Sequence, residues 1–215
     1  MARFNYDMAA EFARRRLETR LPIYLYYHSA VHTAQDVVPA AKRLANMEGV
    51  EGDDLLLLLT GAWFHDLGFI HINGDTTAEY KGRVSQHEEA SAAIAVQVLP
   101  DFGYSPGEVE VVRALIMTTK LPQTPHSLLD EMIADADLDS LGRTDFWKIS
   151  ARLQAELAAF GMPSDDENWY SRQLKFLESH TYFTESARLI RQPGKDQNMS
   201  ELRQRLLEIR AAVNP

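Results

Sequence analysis

A histidine and an aspartate stand side by side at positions 65 and 66, directly after one of the most apolar stretches of the chain, LLLLLTGAWF. A buried helix normally excludes an ionisable pair unless partners satisfy it or a cation binds it, because an unpaired buried charge is expensive. An imidazole nitrogen beside a carboxylate oxygen offers two ligands from one rigid element, a set suited to a divalent ion of borderline preference such as Mn, Fe, Ni or Zn. By itself a His-Asp dipeptide is more simply a helix-terminal ion pair or hydrogen bond, so its surroundings matter. His32 sits upstream in YYHSAVHTAQDVV and Asp137 downstream in IADADLDSLG, where apolar and small residues again surround carboxylates. Ligands on three different helices meet only through tertiary folding, the usual way a helical bundle builds a metal site.

The elements that must position these groups are helical. Apolar residues recur at three- and four-residue spacings and strand-like alternation is sparse, which predicts an all-α fold of roughly eight to ten helices. The patterns place them over about residues 5–20, 30–47, 53–69, 85–99, 106–118, 127–137, 144–160, 165–180, 184–191 and 199–212, with boundaries good to several residues. Ser85 with Glu88 has the capping-box spacing, and Ser105-Pro106-Gly107-Glu108 adds proline at the first helical position. Pro100 closes the helix between these two starts. The Ile70–Val84 stretch, with Gly74 and Gly82, reads as a loop long enough to be a lid or a substrate-contacting segment, or a plain surface loop. Gln192-Pro-Gly-Lys-Asp-Gln-Asn198 reads as a turn before the last helix.

Composition bounds the function. A chain of 215 residues supports one substantial core, so a single domain is expected. Zero cysteines exclude disulfides, thiolate metal sites and a cysteine nucleophile. No apolar run approaches the roughly 20 residues of a membrane span. The start, MARFNYDMAAEFARRR, reads as an amphipathic helix and not a signal peptide, which makes a cytoplasmic protein the default expectation. A formal net charge of −9 argues against broad electrostatic binding to nucleic acid. A small phosphorylated substrate remains compatible, its charge met locally by a metal and a few basic side chains. No Gly-rich phosphate loop and no Ser-centred nucleophile elbow is present.

The order His, then His-Asp, then a distant Asp resembles the HD superfamily of metal-dependent phosphohydrolases. The phrases YYHSAVHTAQDVV, WFHDLGF, HEEASAAIA, LIMTTKLPQTP, ADADLDSLGR and FLESHTYFT resemble one subgroup of predicted HD phosphohydrolases over most of the chain. The resemblance implies an HD core over about residues 22–142 with additional C-terminal helices over about 143–215. It implies metal ligands at His32, His65, Asp66 and Asp137. His87 is similar to a further histidine that many HD proteins place at the start of the next helix, where it could bind a second metal, contact phosphate or hold a metal-bound water. Dinuclear members usually supply another histidine further along, where this chain has Thr118-Thr119-Lys120, a departure that favours one divalent ion per chain, Mn, Fe, Ni, Co, Zn or Mg.

Other residues carry two readings each. Lys120 is a rim cation for phosphate or a helix-end lysine compensating the macrodipole. Arg83 and Arg143 divide the same way, with solvation the simpler account. Glu88 completes a cap, or acts as a base or an outer carboxylate. His28, four residues before His32, would share its helix face and reads as partly buried support. His71 and His126 read as surface or capping residues, and His180 as packing or an oligomer contact. Asp135 and Asp139 read as solvated or supporting carboxylates beside Asp137.

The expected activity is hydrolysis of a phosphomonoester or phosphodiester of a nucleotide or other small phosphorylated metabolite. A metal-activated water would attack phosphorus, Asp66 would orient or deprotonate it, and His87 and Lys120 would stabilise the developing charge. The alternatives are a non-catalytic metal- or nucleotide-binding module and a di-iron oxygenase of the same fold. The aromatic C-terminal helices from Phe146 to Phe183 complete the core or form a homodimer face.

Overall fold

The structure, a computed structural model, describes residues 4–71 and 86–213. It is helical, with no strand among the described residues. Helix α1 spans Tyr6–Arg20 and starts at Asn5, whose side chain accepts from the Met8 N–H at 3.1 Å. A π-helical turn, His32–Val37, runs directly into α2, Val38–Glu48. Helix α3 spans Gly52–Phe64 and is followed by a 3-10 turn at Leu67–His71. Then come α4, His87–Val98, and α5, Pro106–Thr118, the latter closed by the reciprocal Ser105–Glu108 capping box that its sequence predicts. Helix α6 spans Leu128–Asp137 and leads through a 3-10 turn at Asp139–Gly142 to α7, Phe146–Ala159, α8, Asp166–Ser179, and α9, Glu185–Val213.

The all-apolar character of α3 has a direct cause. One side packs Leu57 and Phe64 against α1, α4 and α5 through Leu17, Ala95 and Ile116. The other packs Leu58 and Ala62 against α2, α5 and α6 through Leu44, Leu115 and Met132. A helix buried on two sides has no solvent stripe, and its sequence shows none. The C-terminal helices add a separate cluster around Leu138, Leu141, Phe146, Leu177 and Leu202.

Three expectations about elements change. The α-helix of α3 closes at Phe64, so His65 and Asp66 sit in the turn beyond it and not within a helix reaching residue 69. His28 lies before the helix start, in non-helical chain, and does not share a helix face with His32. The segment around Pro193-Gly194 is no turn, because α9 runs unbroken through it. Proline removes one helical hydrogen bond there. The glycine explains why the helix is kept: a Cβ on Gly194 would stand 2.1 Å from Gly142 O, and one on Gly142 2.2 Å from Arg191 O. Two bare backbones meet, and Asn198 Nδ2 donates to Leu141 O at 2.9 Å and Arg143 O at 3.2 Å. The Ser85 cap, Arg83 and the body of the Ile70–Val84 loop lie outside the described residues.

Candidate metal centre

Each ligand candidate comes from the end of an element. His32 opens the π turn, where the Val38 N–H reaches Thr33 O five residues back; π turns inside helices are frequent at functional sites because they shift side chains off the regular register. His65 and Asp66 follow α3, and Asp137 is the last residue of α6. His32, His65 and Asp66 are all buried. One ligand atom from each lies within 4.8 Å of the others, an arrangement that could hold a metal ion. Asp137 joins them, its Oδ1 standing 3.4 Å from His32 Nε2 and 3.5 Å from His65 Nε2. Asp66 Oδ2 is 3.3 Å from His65 Nε2 and 3.9 Å from His32 Nε2.

His32 Nε2, His65 Nε2 and Asp66 Oδ2 are buried, and none has a hydrogen-bond partner. Leaving such a group unsatisfied costs about 1–3 kcal/mol, so three converging on one point need an explanation. Ligands held about 2.0–2.2 Å from a single divalent ion are themselves separated by roughly 3–4 Å, and Asp66 Oδ2 stands at such distances, 3.3 and 3.9 Å, from the two imidazole nitrogens. The donor set, two imidazoles and carboxylate oxygen, suits the same ions. The residues therefore fit a divalent metal.

The surrounding groups set the orientation of the two imidazoles. His65 Nδ1 lies 2.8 Å from Ala62 O, which fixes a proton on Nδ1 and turns Nε2 to the cluster. His32 Nδ1 faces Asp36 Oδ2 at 3.9 Å, and Asp36 is held by Arg143 Nη1 at 2.5 Å. Burial lowers the His32 pKa, but Asp137 and Asp36 outweigh it and raise the imidazole to about 9. Burial opposes the His65 shift in the same way, and Asp66 and Asp137 carry it well above the ordinary range. Burial pushes the Asp66 carboxyl up, yet His65 and His87 hold it far below the usual carboxylate range. The cluster is a set of mutually dependent charges, the field a cation would share.

His87 is brought alongside. Its Nε2 is 3.5 Å from Asp66 Oδ1, its Nδ1 is 3.2 Å from Glu88 Oε2, and its ring stacks on Phe69 at 4.3 Å. The approach depends on Gly68, where a Cβ would stand 2.1 Å from His87 O. Glu88 is buried, and burial raises its pKa. Lys120 lies on the wall of the adjoining cavity, exposed and paired with Glu89, and is not part of the cluster.

Several residues have different roles from those the sequence suggests. Arg143 is neither free in solvent nor turned to the cavity; it grips Asp36 and, at 2.7 Å, Asp145. Asp135 and Asp139 are buried structural acceptors. Asp135 takes the Phe183 and Thr184 N–H groups at 2.8 Å each, capping α9, and Asp139 binds Arg43 at 2.6 Å and Arg191 at 2.7 Å. His180 packs internally on Tyr182 at 4.6 Å, and Lys195 Nζ donates to its carbonyl at 2.5 Å. His71 and His126 are exposed.

Two contributors had escaped sequence reasoning. Glu156 of α7 is fully buried and receives His28 Nδ1 at 2.5 Å with the Tyr27 and His28 N–H groups at 2.8 and 3.0 Å. It thereby fixes the His28 ring at the cavity wall, stacked on Phe69 at 4.4 Å. Its sequence signal is a lone carboxylate among LQAELAAF. Asp36 was readable from its i, i+4 spacing to His32.

A cavity of about 410 Å³ adjoins the cluster and is lined by Asp66, His87 and Asp137 at one part of its wall and by apolar side chains of α7 and α8 at another. Comparison with known proteins found no family model, no curated protein and no solved structure that matches the chain. No helix among the described residues is long and apolar enough to cross a membrane.

Proposed function

We propose that this chain is a metal-dependent phosphohydrolase of the HD type, holding one divalent ion through His32, His65, Asp66 and Asp137. The reading rests on one observation: three buried ligand atoms, His32 Nε2, His65 Nε2 and Asp66 Oδ2, converge without hydrogen-bond partners beside a cavity of substrate size. A hydrogen-bonded structural network would have satisfied them. The bound ion would supply a water of lowered pKa and polarise a phosphoryl oxygen.

The protein's own groups do the rest. Asp66 turns one oxygen to the cluster and the other to His87, at 3.5 Å, so the Asp66–His87 pair is the route by which a proton leaves the attacking water. His87, backed by Glu88 Oε2 at 3.2 Å, holds that proton on an imidazole nitrogen for the departing oxygen. Lys120, at the cavity wall, offsets negative charge on the phosphoryl group. Apolar residues around the cluster keep bulk water from competing.

The test is phosphate release from nucleoside phosphates, cyclic nucleotides and alkyl and aryl phosphates, with added Mn, Ni, Co or Mg. Release should require the ion and vanish in folded His65→Ala and Asp66→Ala variants. A metal-loaded wild-type protein that cleaves nothing on the panel would sink the hydrolase reading and leave a metal-binding module.

A further inference from the structure

We propose, building on the hydrolase reading, that the substrate is a phosphomonoester whose alcohol portion is apolar and uncharged, an alkyl, aryl or prenyl group seated against α7 and α8. Two independent features of the cavity carry this.

The first is charge. Among the described residues, the ionisable groups lining the cavity are Asp66, Glu88, Asp137, His28, His87, Lys120 and the Tyr27 phenol. Three carboxylates thus face one ammonium, and that ammonium is already paired with Glu89. His28 is engaged by buried Glu156, and Arg143 is turned to Asp36 and Asp145. A divalent ion would balance Asp66 and Asp137, but no cluster of arginine or lysine remains among the described residues to meet a polyphosphate chain. Sites for such chains supply several donors at once. One phosphoryl group is what the described residues of this wall can neutralise.

The second is the apolar part of the lining. Leu138, Leu141, Phe146, Ile149, Leu153 and Phe176 form it. Several polar groups beside them already have partners. Trp169 Nε1 donates to Ser150 Oγ at 3.0 Å, Ser150 Oγ donates to Gln173 Oε1 at 3.3 Å, and Thr119 Oγ1 donates to Ile116 O at 2.8 Å. This leaves the Gln173 amide and the Ser140 and Tyr27 hydroxyls to meet a few oxygens on the substrate body. A purine or pyrimidine, with several donors and acceptors on its edges, would leave most of them unpaired against such a wall, which costs affinity. A hydrocarbon leaves none. A cavity of about 410 Å³ holds a body of that kind. The C-terminal helices therefore set specificity as well as completing the core.

Binding is tested with methyl-, butyl-, hexyl- and octylphosphonate, whose C–P bond the enzyme cannot hydrolyse, titrated calorimetrically into metal-loaded protein with adenosine 5′-monophosphate and guanosine 5′-triphosphate as comparators. Each methylene that enters the wall should tighten binding by about fourfold. Leu153→Trp, which fills the cavity from a half-buried position, should flatten the series while metal content stays unchanged. If that variant does not fold, Ile149→Ala should move the best chain length upward. A flat series in the wild type, or adenosine monophosphate binding tighter than octylphosphonate, would overturn the assignment. A steep series with octyl phosphate left uncleaved would support the apolar site and overturn the hydrolase reading, so the two failures are distinguishable.

Discussion

Two assemblies of buried charge lie close together along the chain, around Asp137 and around Asp139, and they differ in how their polar atoms are used. Asp139 is enclosed by Arg43 and Arg191, with both of its oxygens accepting hydrogen bonds at 2.6–3.0 Å. Asp135, two residues before Asp137, is likewise filled by three donors from the start of α9. Asp137 instead points at two imidazole nitrogens that have no hydrogen-bond partners. The first assembly fills both oxygens of its carboxylate and joins α9 to the rest, leaving Arg43 Nε buried without a partner. The second leaves three ligand atoms without hydrogen-bond partners and could hold a cation. Burial of charge alone does not separate structure from function; the convergence of several unpaired ligand atoms on one point is what sets the second apart.

The contrast is broken most sharply by removing one carboxylate from each assembly. Asp66→Ala should abolish metal binding and phosphate release outright, yet in chelator-treated protein it should cost less stability than Asp139→Ala, since it relieves an unsatisfied oxygen while removing only the longer contacts to His65 and His87. Asp139→Ala should do the reverse, costing about 3 kcal/mol by stranding two guanidinium groups while the folded fraction keeps its metal. Equal stability losses for the two variants would contradict the distinction.

Metal linkage sharpens it further. A divalent ion at about 100 times its Kd should stabilise the wild type by about 2.7 kcal/mol, read as a rise in Tm, and should not move His65→Ala. Asp36→Asn, which weakens the support of His32 without removing a ligand, should lower metal affinity by about 10–100-fold, measured by competition with a chromophoric chelator.

The smallest effect concerns pH and lies in the structural assembly. Burial, aided by Lys195, lowers the His180 imidazole from its ordinary 6.5 to about 4. The folded state then keeps His180 neutral where the unfolded chain binds a proton. Its contribution is fully present above pH 6.5 and is lost as pH falls through about 4. Urea denaturation of chelator-treated protein across this window should show a shallower acid slope for His180→Asn than for wild type.

The fold was legible where local pattern and burial agree. The apolar run of α3 and the Ser105–Glu108 cap were read directly, because each follows from local burial or local hydrogen bonding. Features set by distant contacts were not. The Pro193-Gly194 segment has the composition of a turn and is held helical by the backbone of Gly142. Glu156 meets its partner His28 128 residues away in sequence, so nothing near either residue announces the pair. The four metal candidates could be named from their apolar surroundings and the HD resemblance, whereas the unpaired state of three of their ligand atoms needed coordinates. Arg143 shows the same limit: its charge was visible, but its attachment to Asp36 was not.

The most direct test of the central claim is calorimetric titration of chelator-stripped protein with Zn2+ or Mn2+, alongside folded His32→Ala, His65→Ala and Asp66→Ala variants. The account predicts about one ion per wild-type chain and none at that site in any variant. A wild-type protein that binds no divalent ion, or variants that bind as tightly as wild type, would mean that His32, His65, Asp66 and Asp137 form a buried polar network and not a metal centre.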